Sequence, residues 1–292
     1  MGGSKWLLIL LTCPLLSIGQ SVDSTHAVNK KRLRTFAISG TVAYGVTLAG
    51  LSHLWYADTK SQPFQFFNDN AEWKQIDKVG HFFSAFYFSY GTSRALQWCD
   101  VPKKKSDVMG SLVGFGIMLP IEILDGFSDA YGASTGDLFA NAAGSAFHFG
   151  QTALWNEVRI HPKFSFHRTR YAELRSDLLG NDLTSEILKD YNGQTFWFSV
   201  DVDKFVKFPS WLNVAVGYGA EGMVYARDHQ NTEAGYATPF RQYYLSIDFD
   251  LTTIKSRSKI VNTLLFFANM IKIPAPTVEF SKEGVKFKPL YF

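Results

Sequence analysis

Cysteine is scarce in this chain: only Cys13 and Cys99 occur among 292 residues. No Cys/His cluster is present, which excludes a structural zinc site of the usual kind. With export cleavage near Gly19, Cys99 stands alone and cannot close an internal disulfide, so cysteine usage does not decide the compartment. Charge is also thin. Charged residues make up 19% of the chain and aromatics 16%, whereas average soluble domains carry about 25% charged residues. That shift fits a protein that touches membrane. The net charge of +3 is too small to argue for nucleic acid, and no basic stripe with a nucleic-acid motif appears. Nucleophile elbow, P-loop, dinucleotide fingerprint and His-Glu-x-x-His motif are all missing.

The first twenty residues read as a signal peptide, 1–20. Lys5 gives the positive start, and Trp6 to Leu16 gives an apolar core shorter than the ~20 residues of a transmembrane helix. Ser17-Ile18-Gly19 predicts cleavage before Gln20 or Ser21. Lipidation at Cys13 is the competing reading. Thr12 is large for a lipobox, and Pro14-Leu15-Leu16 continues the apolar run beyond the cysteine.

The fold class expected is α+β: an N-terminal four-helix, membrane-associated bundle over residues 30–160, then a small antiparallel β region over 190–292. The helices are placed at Thr35 to Ala57, Val79 to Trp98, Asp107 to Leu124 and Asp137 to Glu157, with Pro120 kinking the third. From Thr195 onward, stretches such as Tyr243 to Thr252 alternate apolar and polar residues, the mark of half-buried strands. The strands are too few for a closed membrane barrel. If the helices alternate direction, three basic clusters, Lys30 to Arg34, Lys103 to Lys105 and Arg159 to Arg170, share one side. In an inner-membrane protein that side would be cytoplasmic, which conflicts with a cleaved signal. A bundle outside the inner membrane resolves the conflict, its basic side facing either solvent or anionic head groups.

Candidate functional residues lie between Ile76 and His148. Asp77 and His81 are four apart and share a helical face, a spacing that suits two metal ligands or a carboxylate orienting an imidazole. The plain reading makes Asp77 an N-cap. Glu122, Asp125 and Asp129 set three acids within eight residues, enough for a hard cation or simply a solvated loop. Asp137 follows Ser134 as in a capping box. Asn141 sits one turn into an apolar helix and needs a partner there. Each is ordinary singly; together Asp77, His81, Glu122, Asp125, Asp137 and Asn141 predict a shared polar centre. Neither a cofactor nor a particular metal can be named from them.

Asp77-Lys78-Val79-Gly80-His81-Phe82, Glu122-Ile123-Leu124-Asp125-Gly126, and Ser134-Thr135-Gly136-Asp137 with Asn141 and Gly144 resemble the YfiM-like family of predicted periplasmic lipoproteins, over roughly Ala71 to Ala153. The order of these motifs also looks, more distantly, like VanZ-like membrane proteins, although that family usually has Gln near the place of Asp125 and an Arg before its Asp. The resemblance implies a helical envelope protein and brings no established reaction. The leading expectation is an exported envelope protein, periplasmic or at the outer membrane, structural or assembling, with a buried polar centre. The alternative is an envelope enzyme, a metal-dependent hydrolase among the options, acting on a lipid-linked or cell-surface substrate. A membrane is the expected partner, with an envelope protein bound by the Tyr/Phe-rich strands as a third possibility and no nucleic acid.

Overall fold

The computed structural model describes residues 27–56 and 59–292. The expected signal peptide and Cys13 lie outside the described residues. In chain order the elements are α1 (Lys30–Tyr56), β1 (Phe66–Phe67), a 3-10 turn (Trp73–Gln75), α2 (Ile76–Trp98), α3 (Lys103–Gly126), β2 (Ala133–Ser134) and α4 (Thr135–Trp155). Then come β3 (Ile160–Phe166), three short helices α5 (Tyr171–Leu174), α6 (Ser176–Leu179) and α7 (Leu183–Lys189), β4 (Gln194–Val200), β5 (Leu212–Glu221) and α8 (Asp228–Glu233). Last are β6 (Phe240–Phe249), α9 (Lys259–Ala268), β7 (Ala275–Ser281) and β8 (Gly284–Tyr291). The fold is mixed: helices followed by a six-stranded antiparallel sheet in the simple order β3 to β8.

α2 is the central helix. Its small-residue neighbours let backbones approach closely. A Cβ added at Gly144 of α4 would lie 2.2 Å from the Phe82 carbonyl oxygen, and one at Gly114 of α3 would lie 2.2 Å from the Ser89 Oγ. Backbone cannot swing aside as a side chain can, so Gly144→Ala is expected to cost about 2–3 kcal/mol by overpacking. Urea unfolding checks this; a loss below 1 kcal/mol would mean the helices separate freely.

The packed helical unit is α2, α3 and α4 rather than four helices. α1 has no buried residue, and Ile38, Val42 and Val46 on it are exposed. Its polar ties include Tyr44 donating to the Ile117 carbonyl at 2.7 Å, Lys189 donating to the Leu54 carbonyl at 2.9 Å, and side-chain contacts of Arg32 with Asp100 and of Tyr56 with Asp125. The physical reason is that α2 is already covered on its remaining side. Phe82 and Phe83 pack against Phe198 and Phe196 of β4, so the sheet takes the place of a fourth helix. α1 and α3 are long and apolar enough to cross a bilayer. α3 continues past Pro120 to Gly126.

The sheet holds one strand beyond those expected, β3, whose His161 and Lys163 give it the look of a basic loop. It also curls. Lys163 Nζ of β3 reaches Asp248 Oδ2 of β6 at 2.6 Å, and Thr195 of β4 meets Tyr291 of β8 at 3.0 Å. Strands three and four places apart in a flat sheet would be ~14 and ~19 Å away. The concave side mixes polar side chains with a small aromatic cluster of Trp197, Tyr244 and Tyr291. On β6, Gln242, Ser246 and Asp248 are buried while Tyr243, Leu245 and Ile247 face out. The alternation is real, but its apolar members line the convex face. Over β4 that face is covered by α2.

The three expected basic clusters do not share one end. Arg32 pairs with Asp100, which joins the starts of α1 and α3, and Arg159 lies just beyond the end of α4. β3 then carries the chain to the opposite end before Arg168 and Arg170.

Candidate functional site

α2 and α4 run parallel and α3 runs between them in reverse. This brings the N-terminal turns of α2 and α4 to the C-terminal turns of α3, and all six candidate side chains come from those turns. The approach to α2 is strained: Trp73, Lys74 and Gln75 have φ of 46°, 51° and 64°, a left-handed run that non-glycine residues seldom adopt. It is held from the sheet side. The Trp73 amide donates to the Ala226 carbonyl at 2.8 Å, Lys74 pairs with Asp228 at 2.5 Å, Tyr218 donates to the Lys74 carbonyl, and Arg241 donates to Gln75 at 2.6 Å. The helix therefore starts at Ile76 with Gln75 at the cap position. Asp77 is not an N-cap; it sits inside the first turn and is free to face the centre.

His81, Glu122 and Asn141 form one group, with Glu122 and Asn141 buried and His81 partly open. Asn141 Nδ2 donates to Glu122 Oε1 at 3.4 Å, and its Oδ1 lies 3.1 Å from His81 Nδ1. The Asn141 carbonyl oxygen can only accept, so it orients the His81 ring through Nδ1. Glu122 also accepts from the Ser134 amide at 3.3 Å and lies 3.4 Å from His81 Nδ1. One ligand atom each from His81, Glu122 and Asp137 lies within 4.8 Å of the others.

Asp69, Asp77 and Asp137 form a second acidic group, already neutralised in part by Lys78. The Lys78 ammonium is 2.8 Å from Asp69, 3.2 Å from Asp77 and 3.1 Å from Asp137. Asp77 Oδ1 is nevertheless buried without a hydrogen-bond partner. Ser134 Oγ caps α4 by accepting from the Asp137 amide at 3.1 Å and donates to Asp69 at 2.6 Å. Only half of the expected capping box forms, because the Asp137 carboxylate turns to Lys78 instead of back to the cap. Asp125 is set apart, accepting from Tyr56 of α1 at 2.6 Å. Asp129 accepts from the Lys60 amide at 2.8 Å and is not part of the centre. Asp69, Lys78 and Ser134 were not among the sequence candidates. Lys78 stood inside the Asp-Lys-Val-Gly-His run, but Asp69 lies in a loop with no pattern to mark it.

Acids outnumber cations here, and burial dominates their titration. It raises the Glu122 carboxyl to about 7 and those of Asp77 and Asp125 to about 6. Asp137 is also raised, burial outweighing the opposing pull of His81 and Lys78. At Asp69 burial pushes up, but hydrogen bonds from Lys78 and Ser134 prevail and hold it below the usual range. Burial alone would lower the Lys78 ammonium, yet Asp77, Asp69 and Asp137 hold it above the ordinary lysine value.

These groups border a cleft of about 440 Å³ lined by Asp77, His81, Asp125 and Asp137. Glu122 and Asn141 sit behind His81. Aromatic and aliphatic side chains, among them Leu48, Trp55, Trp73, Tyr131 and Tyr191, make the walls. A cleft with an acidic, titratable floor and apolar walls can hold a cation or exchange protons beside a partly apolar ligand. Between helices of three different origins such an arrangement is also costly unless its charges are balanced.

No curated protein and no solved structure matches the chain. Residues 65–152, the stretch that carries every one of the six candidates, match the model of the family described as predicted periplasmic lipoprotein (DUF2279), in agreement with the exported, periplasmic location expected from the sequence; the likeness to VanZ-like proteins gains no support from this match.

Proposed function

We propose that this exported envelope protein is a hydrolase that holds a divalent cation on His81, Glu122 and Asp137 in the floor beneath its cleft, with a lipid-linked or cell-surface substrate lying along the aromatic walls. The observation that carries it is the convergence of those three donors, one from each of three helices, beside an open cleft. Ligand atoms around a cation bound at ~2.1 Å stand ~3.4 Å apart, so the trio would close by up to about 1.4 Å. The mixed imidazole and carboxylate set suits zinc or manganese. A cation there would supply a water nucleophile near neutral pH. Asp77, raised towards neutrality and with one oxygen free, can take or give a proton. Asn141 fixes the His81 ring, and Asp125 sits at the wall.

Equilibrium dialysis against Zn²⁺ or Mn²⁺ followed by elemental analysis tests this reading. One metal per chain is expected, lost in His81→Ala and in Asp137→Asn while both variants stay folded by circular dichroism. A folded parent chain that retains no metal sinks the proposal. Lys78 bridging three carboxylates favours a second reading, a polar network that only fixes the packing of the helices. Unfolding of both variants with no metal in the parent chain would favour that one.

A further inference from the structure

At the end of the molecule opposite the cleft, exposed apolar and basic side chains lie together. There the β4–β5 loop meets the end of α4: Phe205 packs edge-on against Trp155 at 5.5 Å, and Arg159 donates to the Lys204 carbonyl at 3.2 Å. The β6–β7 connection joins the same end, since the Asp250 amide donates to the Trp211 carbonyl at 3.1 Å and Trp211 stacks on Phe249 at 6.0 Å. That connection contains α9, a helix with no buried residue. Its Ile260 is 74% exposed, its Leu264 62% and its Phe267 57%; Trp211 in the neighbouring loop is 54% exposed. Residues 260, 264 and 267 fall on one helical face.

Cations surround this apolar tip. Lys207, Lys255, Arg257 and Lys259 are all exposed, and none of them makes an ion pair among the described residues. The starts of α1 and α3, with Lys30 to Arg34 and Lys103 to Lys105, lie at the same end of the helices. An exposed apolar helix face with basic residues at its start and aromatic rings beside it is the pattern of an interfacial membrane helix. Interfacial tryptophan and free lysines complement anionic head groups. A water-facing tip has no use for Ile260, Leu264 and Phe267 turned outward together.

We infer that this end of the fold, α9 with the β4–β5 loop, docks the protein on an anionic phospholipid surface. The apolar face of α9 enters the head-group boundary, and Lys207, Lys255, Arg257 and Lys259 lie against the lipid phosphates. The cleft then points away from that surface. Lys103 and Asp125 mark the two ends of α3, a separation of ~33 Å at 1.5 Å per residue. For the hydrolase proposed above, this favours a substrate reached from the aqueous side; that corollary alone rests on the enzymatic reading, and the docking does not.

The test uses the full chain with Cys13→Ser and an environment-sensitive dye on Leu264→Cys. Titration with vesicles of equal phosphatidylglycerol and phosphatidylcholine is expected to shift the emission to the blue. The same dye on Glu233→Cys, in α8 at the cleft end, is expected to stay unshifted. Changing Lys207, Lys255, Arg257 and Lys259 to Gln is expected to weaken the titration by on the order of several hundredfold, each cation being worth about fivefold near the surface. Equal titration of the four-Gln variant and the parent overturns the inference, as does a shift at residue 233 that matches the one at 264. A blue shift without vesicles that grows with protein concentration would assign the tip to a second copy and overturn it as well.

Discussion

Lys78→Met is expected to destabilise the protein by about 3–5 kcal/mol at pH 8, the loss usual when one partner of a buried ion pair is removed. The ammonium is shared by Asp69, Asp77 and Asp137 within 3.2 Å, and all four side chains are largely shielded from water. Without it the three carboxylates face one another unpaired. Methionine keeps the apolar stem, so the loss reports on charge. At pH 5 the loss is expected to fall to roughly half, because the raised carboxyls of Asp77 and Asp137 take up protons and shed the repulsion. Urea unfolding at the two pH values measures both numbers. Equal losses at pH 5 and pH 8 would show that Lys78 acts through packing alone.

The second large effect is on the parent chain in the presence of chelator. Its stability is expected to fall by several kcal/mol between pH 5 and pH 8. Glu122 moves from an ordinary value of 4.5 to about 7 in the folded state, and Asp77 and Asp125 from 3.8 to about 6. Between those values the folded chain keeps protons that the unfolded chain has released. Stability therefore stands in full below about pH 4 and drains away as pH rises through about 6 and then about 7. Glu122 is only 3% exposed, and its share alone is roughly 3 kcal/mol. The depressed Asp69 acts in the opposite sense, but only as pH falls below the usual carboxylate range, outside this window. A divalent cation bound at His81, Glu122 and Asp137 replaces the missing protons, so adding it is expected to restore stability at pH 8 and to do little at pH 5. Denaturant midpoints across the pH series check the slope. A flat profile, or one that rises toward pH 8, contradicts the burial of these acids.

Much of the site was legible because its residues break their local patterns. Asn141 in an apolar helix and His81 one turn after Asp77 are costly placements that announce partners. Asp125 was marked by the same logic, but its partner is Tyr56 of α1. Asp69 was not legible, since an aspartate between two asparagines in a loop is common and only the fold brings it to Lys78 and Ser134. The exact start of α2 was also hidden: three left-handed residues in a row are imposed by Ala226, Asp228 and Arg241, distant in the chain.

Local pattern determined the helices α1 to α4, the alternating strands from β4 onward and the acids that had to find one another, because periodicity and burial cost act over a few residues. Tertiary structure alone decided that α1 stands outside the packed unit, that β3 joins the sheet and that the sheet curls around a mixed polar and aromatic interior. Those outcomes depend on contacts between residues distant in the chain: Phe196 and Phe198 cover Phe82 and Phe83 and take the place of a fourth helix, and Lys163 meets Asp248 only because the strands from β3 to β6 curl.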